Sequence, residues 1–452
     1  MSADIVHFPQ KSPPVEPLAQ FVRLGEVSHK RTASLFAEGH LAAKRVVIDA
    51  SRLRFLRSEI KQFKEAGREI VLDTKAAELA ALSKYGGSAK DAPWSQVAGG
   101  QLVTAPCFLR GHPGDIFGQI ARCAVEYDVD AVLSPGHFLH PENGLDWLDI
   151  DRGSCSELRR ALDHEGGKHI AIDYLLILPH LMLNDPEMRL KIMQALSDLP
   201  FDNLWIRASG FGNDSAAQPL VAFISSLVQF HNLGKPIITD YLGGLVGEAV
   251  MALGASSGFA HGIAECERFD ARPWDKPAKK RDPDKPGGRA ARINLSLINK
   301  SLTLNEYETL LSAKSAKRLL SPSVALPGVR TPSDVTNDPK ILASKEAVTN
   351  FEALANVPNL HRPKDFVERR VEPAVERMQQ IKNLIPNPEI AKAKVVDVDK
   401  LMKRMGDHHK QLSRQSNSLT ELSERLVDLG PVARPVQRLS RLEENERRGQ
   451  RP

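Results

Sequence analysis

The sequence predicts an α/β fold, an eightfold (β/α)8 TIM barrel followed by a mainly helical C-terminal extension, and three observations predict it. Between residues 45 and 262 short β-branched runs alternate with amphipathic stretches, the pattern of parallel strands buried on both faces and their covering helices. Eight such units in about 220 residues match the length of a closed barrel; an open doubly wound sheet shares the periodicity, but the unit count favours closure. Beyond residue 270 the composition changes. Residues 271–452 hold 35 Lys/Arg against 23 Asp/Glu, a net of +12, whereas residues 1–270 carry a net of −7.

Residues 1–44 read as an N-terminal segment and 45–270 as the barrel. The eight predicted strands are RVVIDA (45–50), EIVLDT (69–74), QLVTAP (101–106), DAVLSP (130–135), HIAIDY (169–174), NLWIRA (203–208), PIITDY (236–241) and GFAHGI (258–263). Helical periodicity fills the gaps. LRFLRSEIKQFKEAG (53–67) stops at a glycine suited to a helix C-terminus. DPEMRLKIMQAL (185–196) opens with an Asp N-cap before proline, and QPLVAFISSLVQFHNLG (218–234) ends at Gly234.

Residues 271–292, rich in Pro, Gly and mixed charge, predict a flexible linker. The basic extension, 293–452, contains helical stretches at 303–320 and 364–385. It also carries a heptad-like segment at 396–429, with Val398, Met405, Leu412, Leu419 and Leu426 at a and Leu401, His408, Gln415, Leu422 and Leu429 at d. That seam suits a homo-oligomer or partner protein and equally a seat on the barrel. The tail from Arg434 reads as charged and frayed.

Composition narrows the class. With 42% hydrophobic and 26% charged residues the chain is ordinary globular protein. No apolar run is long enough for a membrane span and the first residues lack a signal-peptide pattern, so no membrane partner and a cytoplasmic location are expected. Cys107, Cys123, Cys155 and Cys266 form no CxxC pair, so neither a disulfide framework nor a thiolate metal site is expected.

In a barrel, the residues at the C-terminal ends of the strands surround the mouth where ligands bind. Here those positions are polar: Asp49, Asp73, Thr104, Ser134 with His137 behind it, Asp173, Arg207, Asp240 and His261. Converging aspartates repel unless a cation, a basic ligand or shared protons compensate, and this marks the mouth as a candidate site. Asp173 and Asp240 are the leading catalytic pair, with Asp49 and Asp73 beside them. The competing reading is that an aspartate after a strand caps the next helix. GHFLHPENGLDWLDIDRG (136–153) reads as a lid over the mouth, although His137 and His140 also have a metal-ligand spacing.

Around the last two strands, Gly243, Gly244, Gly254 and Gly262 follow strand ends in KPIITDYLGGLVGEAVMALGASSGFAHGI (235–263). Glycines there let backbone amides approach an anion at a helix N-terminus, with Arg207 as a second anion ligand. The stretch resembles the phosphate-binding end of many β/α barrels, which implies a phosphate-bearing small molecule held by these residues. LGGLVGE (242–248) with ECERFD (265–270) also resembles the tRNA-guanine transglycosylase family, which implies an aspartate nucleophile, a covalent intermediate and a second aspartate that recognises the base. The cysteine-rich zinc site and the aspartate-serine-glycine-glycine motif of that family have no counterpart here.

Three functional expectations follow. The first is a phosphate-ligand enzyme using rim aspartates, including nucleotide or nucleic-acid base exchange. The second is a lapsed barrel that binds nucleic acid or a partner protein through the basic extension. The third is a flavin-dependent barrel enzyme; no cofactor is specified by the sequence.

Overall fold

The computed structural model describes residues 18–25, 29–85, 87–140, 142, 144–263, 268–277, 292–321, 336, 339–427 and 433–444. Its centre is a closed barrel of eight parallel strands: β1 (Ala19–Arg23), β2 (Arg45–Asp49), β3 (Glu69–Asp73), β4 (Ala131–Leu133), β5 (Ala171–Pro179), β6 (Leu204–Ser209), β7 (Ile237–Asp240) and β8 (Gly258–His261). The barrel closes where β1 pairs with β8, Phe21 opposite Ala260.

Seven of the eight predicted strands are present; the third is not. QLVTAP forms irregular backbone that turns into a 3-10 helix at Ala105–Phe108, because Pro106 supplies no ladder donor there. Its place in the barrel is taken by AQFVR, within the stretch read as an N-terminal segment, so the barrel begins at Ala19.

Alternation along each strand sends one set of side chains inward. Phe21, Val47, Val71, Leu133, Leu175, Trp205 and Ile238 form the middle of the barrel, with Phe21 and Trp205 edge to face at 4.8 Å. The charged residues two positions along most of these strands, Arg23, Asp49, Asp73, Arg207 and Asp240, cap it at the strand C-terminal end. The outward set packs beneath the helices. Predicted helix signals hold: Asp185 accepts from the amides of Glu187 and Met188, and Gly67 and Gly234 have φ of 70° and 69°.

The extension is welded to the barrel. The helix Val398–Val427 buries Leu401, Met405, Leu412, Leu419 and Leu422 against the neighbouring helices Glu372–Ile381 and Ala217–Phe230. His408 pairs with the Ile298 carbonyl and Gln415 donates to the Ser215 carbonyl. Of the two uses expected for the heptad seam, burial on the barrel is therefore the observed one; the side chains of Leu426 and Leu429 lie outside the described residues. The tail is not frayed at Arg434–Glu444, which docks on the barrel's lower end through ion pairs. Residues 271–277, assigned to the flexible linker, are packed over the mouth, with Ala271 and Trp274 buried because the open barrel end offers them an apolar seat. The rest of the linker, 278–291, lies outside the described residues. No helix among the described residues is long and apolar enough to cross a membrane.

Candidate functional site

At the strand C-terminal ends, two arginines bridge three aspartates. Arg23 donates from Nε to Asp240 (2.7 Å) and from Nη2 to Asp73 (2.7 Å) and Asp240 (3.0 Å), while its Nη1 reaches Asp49 (3.1 Å). Arg207 donates from Nε to Asp240 (2.9 Å) and from Nη2 to Asp73 (2.8 Å). Lys75 lies 3.7 Å from Asp49 and pairs closely with Glu78. All these side chains are buried; Asp73 and Arg207 have no exposed surface. Burial alone would raise the Asp73 pKa, but Arg207, Arg23 and Lys75 outweigh it and hold the carboxyl well below the usual range. Burial likewise opposes the Arg207 charge, and Asp240 and Asp73 reverse that effect.

The local backbone aims these groups. Lys75, two residues past β3, and Tyr241, directly after β7, have φ of 54° and 55°, a region that side-chain-bearing residues rarely adopt. Each amide is held by the strand's last aspartate: Lys75 N–H by Asp73 Oδ1 and Tyr241 N–H by Asp240 Oδ1. The turned Tyr241 ring then lies 4.4 Å from the Arg23 guanidinium and 4.9 Å from that of Arg207. Above it, Phe269 sits 5.6 Å from Arg207 and packs edge to face on Trp274, so the segment from Arg268 to Trp274 roofs the mouth.

Several polar atoms at this end have no hydrogen bond among the described residues. Arg207 Nη1 is buried, 3.8 Å from Glu78 Oε1, and it, Glu78 Oε2 and Trp274 Nε1 have no hydrogen-bond partner among the described residues. Buried groups of this kind call for a ligand or water. Two donors and one acceptor are thus left unused.

The structure gathers Asp49, Asp73, Arg207 and Asp240 but not Asp173. The sequence reading ended the fifth strand at Tyr174, whereas β5 runs on to Pro179, so Asp173 falls near its start, at the opposite end. There it accepts from Asn203 (3.0 Å), Trp205 Nε1 (2.8 Å) and Arg438 (2.9 and 2.8 Å). The Asp173–Asp240 catalytic pair is therefore corrected. Thr104 is exposed on a loop, and buried Ser134 accepts from the Leu175 amide. His137 points under the helix Gly144–His164, paired with Asp151 at 2.5 Å and stacked on Trp147. Residues 144–153, read as part of a lid, are the first turns of that helix. His261 faces the outer wall, its Nε2 2.9 Å from Gln20.

The glycines serve the backbone. Gly244 has φ of 57°, and a Cβ there would meet the Asn213 side chain at 2.4 Å. Gly243 is extended, at φ −147°. Of the following helix amides, Leu245 is capped by Asn299 Oδ1 and Val246 by Asn213 Oδ1, so those two donors are not offered to an anion. Gly254, at φ 68°, ends that helix, and the Gly262 carbonyl meets His261 Nδ1. Glu248 of LGGLVGE faces the extension, paired with Arg370 at 2.7 Å. Residues 265–267 of ECERFD lie outside the described residues. Among the described residues no group of three or more His, Cys, Asp or Glu side chains is arranged to hold a metal.

Sequence reasoning missed Arg23, Lys75, Glu78, Tyr241 and Trp274. Arg23 was legible as the inward position two after Phe21 in AQFVR, had that run been counted as a strand.

No protein-family model matches the chain, and no curated protein matches it. Among solved structures, the crystal structure of KGPDC from Streptococcus mutans aligns with a TM-score of 0.31 and 11% identity, over 58% of this chain and 94% of that one. A second crystal structure of the same protein, a ligand complex, aligns with a TM-score of 0.31 and 12% identity, over 55% and 90%. The barrel assignment rests on the observed closure of its eight strands, which makes the chain an α/β TIM barrel with a helical C-terminal region.

Proposed function

We propose that the barrel mouth is the active site of an enzyme acting on a small phosphate-bearing ligand held beneath the Arg268–Trp274 roof. The observation that carries this reading is the set of unused polar atoms, Arg207 Nη1, Trp274 Nε1 and Glu78 Oε2, at the roofed end of a barrel. Two donors suit an anionic oxygen, and Arg207 is already fixed by Asp73 and Asp240, so binding would cost little side-chain ordering. Those two aspartates act as anchors, because the oxygens that face the arginines are committed to them. The carboxylate with a free oxygen is Glu78, and the Lys75–Glu78 pair is therefore the proton-handling unit in this reading. An aspartate nucleophile of the transglycosylase type would require Asp240 or Asp73 to leave an arginine.

The test is a thermal-shift panel of sugar phosphates and nucleotides against wild type, Trp274→Phe and Glu78→Gln. A phosphate-bearing compound should raise the wild-type Tm; Trp274→Phe, which removes one donor and keeps the ring, should blunt the shift. Glu78→Gln should retain binding and lose turnover. A panel with no shift, or one unaffected by Trp274→Phe, sinks the proposal. A colourless purified protein would dispose of the flavin reading.

One observation favours a second reading, the lapsed barrel acting as a scaffold: the arginine–aspartate bridges fill the mouth. Its nucleic-acid version is weakened because Arg370, Arg438 and Arg441 of the basic extension are paired with barrel carboxylates.

A further inference from the structure

The lower end of the barrel is closed by Arg438, which lies 369 and 265 positions along the chain from the two carboxylates it meets. Asp173 and Glu69 point into this end, each with at most 1% exposure, and the barrel's own Arg45 satisfies only one Glu69 oxygen, at 2.9 Å. Arg438 supplies the rest. Its Nη1 and Nη2 grip Asp173 in a two-point contact (2.9 and 2.8 Å), and its Nε donates to the other Glu69 oxygen at 2.7 Å. Three guanidinium nitrogens thus meet three carboxylate oxygens, a planar fit that an ammonium cannot reproduce.

The segment carrying Arg438 is held differently from the rest of the extension. Between Arg434 and Glu444 its deeply buried apolar side chain is Val436, and its backbone contacts to the barrel include Leu442 N–H to the Gly67 carbonyl (2.8 Å) and the Arg434 carbonyl to Ser257. Most other ties are ionic: Arg441 to Asp130 (2.9 Å) and Asp128 (3.4 Å), and Glu443 to Arg45 (2.6 Å). By contrast, the helix Val398–Val427 buries five apolar seam residues. Ion pairs gain little net free energy after desolvation, and those that reach solvent, as Arg441 does with Asp128 and Asp130, weaken with salt, whereas apolar burial does not. The Arg438 side chain also keeps 15% exposure, so water reaches the socket rim.

We propose that residues 434–444 form a releasable strap, and that the site it occupies is a guanidinium socket built by Asp173, Glu69 and Arg45. When the strap lifts, the socket stands open at the floor of the barrel, directly below Trp205, whose indole N–H is bonded to Asp173. The strap is then the first part of the extension to open, while helix Val398–Val427 stays docked. The occupant that the socket selects is a guanidinium group, in the resting protein that of Arg438.

Full-length protein tests this by hydrogen–deuterium exchange and Trp205 emission. Raising NaCl from low to high concentration should speed exchange in 434–444 by about tenfold while leaving 398–427 unchanged. Arg438→Ala should abolish strap protection and red-shift the emission, and millimolar guanidinium chloride, far below denaturing levels, should restore the emission where NaCl at equal concentration does not. Should Arg438→Ala not fold, Arg441→Ala provides the check, since it leaves the socket filled and must loosen the strap alone. Co-exchange of strap and helix at every salt concentration would overturn the releasable strap. Failure of guanidinium to outperform sodium would overturn the socket.

Discussion

The two ends of this barrel use the same ionic chemistry with opposite supply. At the upper end the cations and anions all come from the barrel strands and their first turns: Arg23 and Arg207 tie Asp49, Asp73 and Asp240 into one closed network without exposed surface at its centre. At the lower end the strands provide two carboxylates and one arginine, and the balancing charge is imported from residue 438. The difference teaches how each end balances its buried charge. The self-sufficient end keeps buried polar atoms that have no hydrogen-bond partner among the described residues. The dependent end has its need met by its own chain and is poised to be opened.

The largest effect should come from breaking the upper network. Arg23→Met removes the cation shared by three buried aspartates and should cost about 3–5 kcal/mol in urea unfolding, because the abandoned carboxylates have no water to fall back on. Arg438→Met should cost less, about 1–3 kcal/mol, since Asn203 and Trp205 still hold Asp173 and solvent reaches the rim. If the second loss equals or exceeds the first, the contrast between the ends is broken.

Acid should sharpen it. Asp73 has a depressed pKa in the folded state, so its contribution is complete above the ordinary carboxylate range, about pH 4, and is lost as pH falls toward the depressed value. Glu69 behaves in the opposite sense: burial raises its pKa against the pull of Arg438 and Arg45. Its stabilising contribution is present below the unfolded pKa and is lost as pH rises through the raised one. Asp73→Asn should therefore flatten the acid limb of a stability–pH profile below about pH 4, and Glu69→Gln should remove the decline in stability that sets in above that range. Identical profiles for the two variants would contradict the opposed shifts.

The smallest effects test the glycine loop. Gly244→Ala should cost about 1–2 kcal/mol through its positive φ and the Asn213 contact. Asn299→Ala, which uncaps the Leu245 amide, should cost about 1 kcal/mol. Both should leave ligand affinity at the mouth intact if Gly244 serves the turn; a selective loss of phosphate-ligand affinity would restore the anion-loop reading.

What the sequence determined by itself is local and periodic. Alternating inward positions and β-branched runs specified seven strands and the gathering of Asp49, Asp73, Arg207 and Asp240 at one end, because side-chain direction repeats every two residues along a strand; the burial of these aspartates in ion pairs with Arg23 was decided by the fold. Caps and breakers such as Asp185, Gly67 and Gly234 fixed helix ends for the same short-range reason. What only the tertiary structure decided depends on how far each strand runs and on what arrives from elsewhere in the chain. Asp173 changed ends because β5 extends five residues past the apparent strand terminus, and no local pattern encodes strand stagger in a closed barrel. Trp274 and Arg438 joined their sites through contacts between residues distant in the chain. Buried carboxylates demand a countercharge, yet which of 61 basic residues supplies it is settled only when the chain closes on itself.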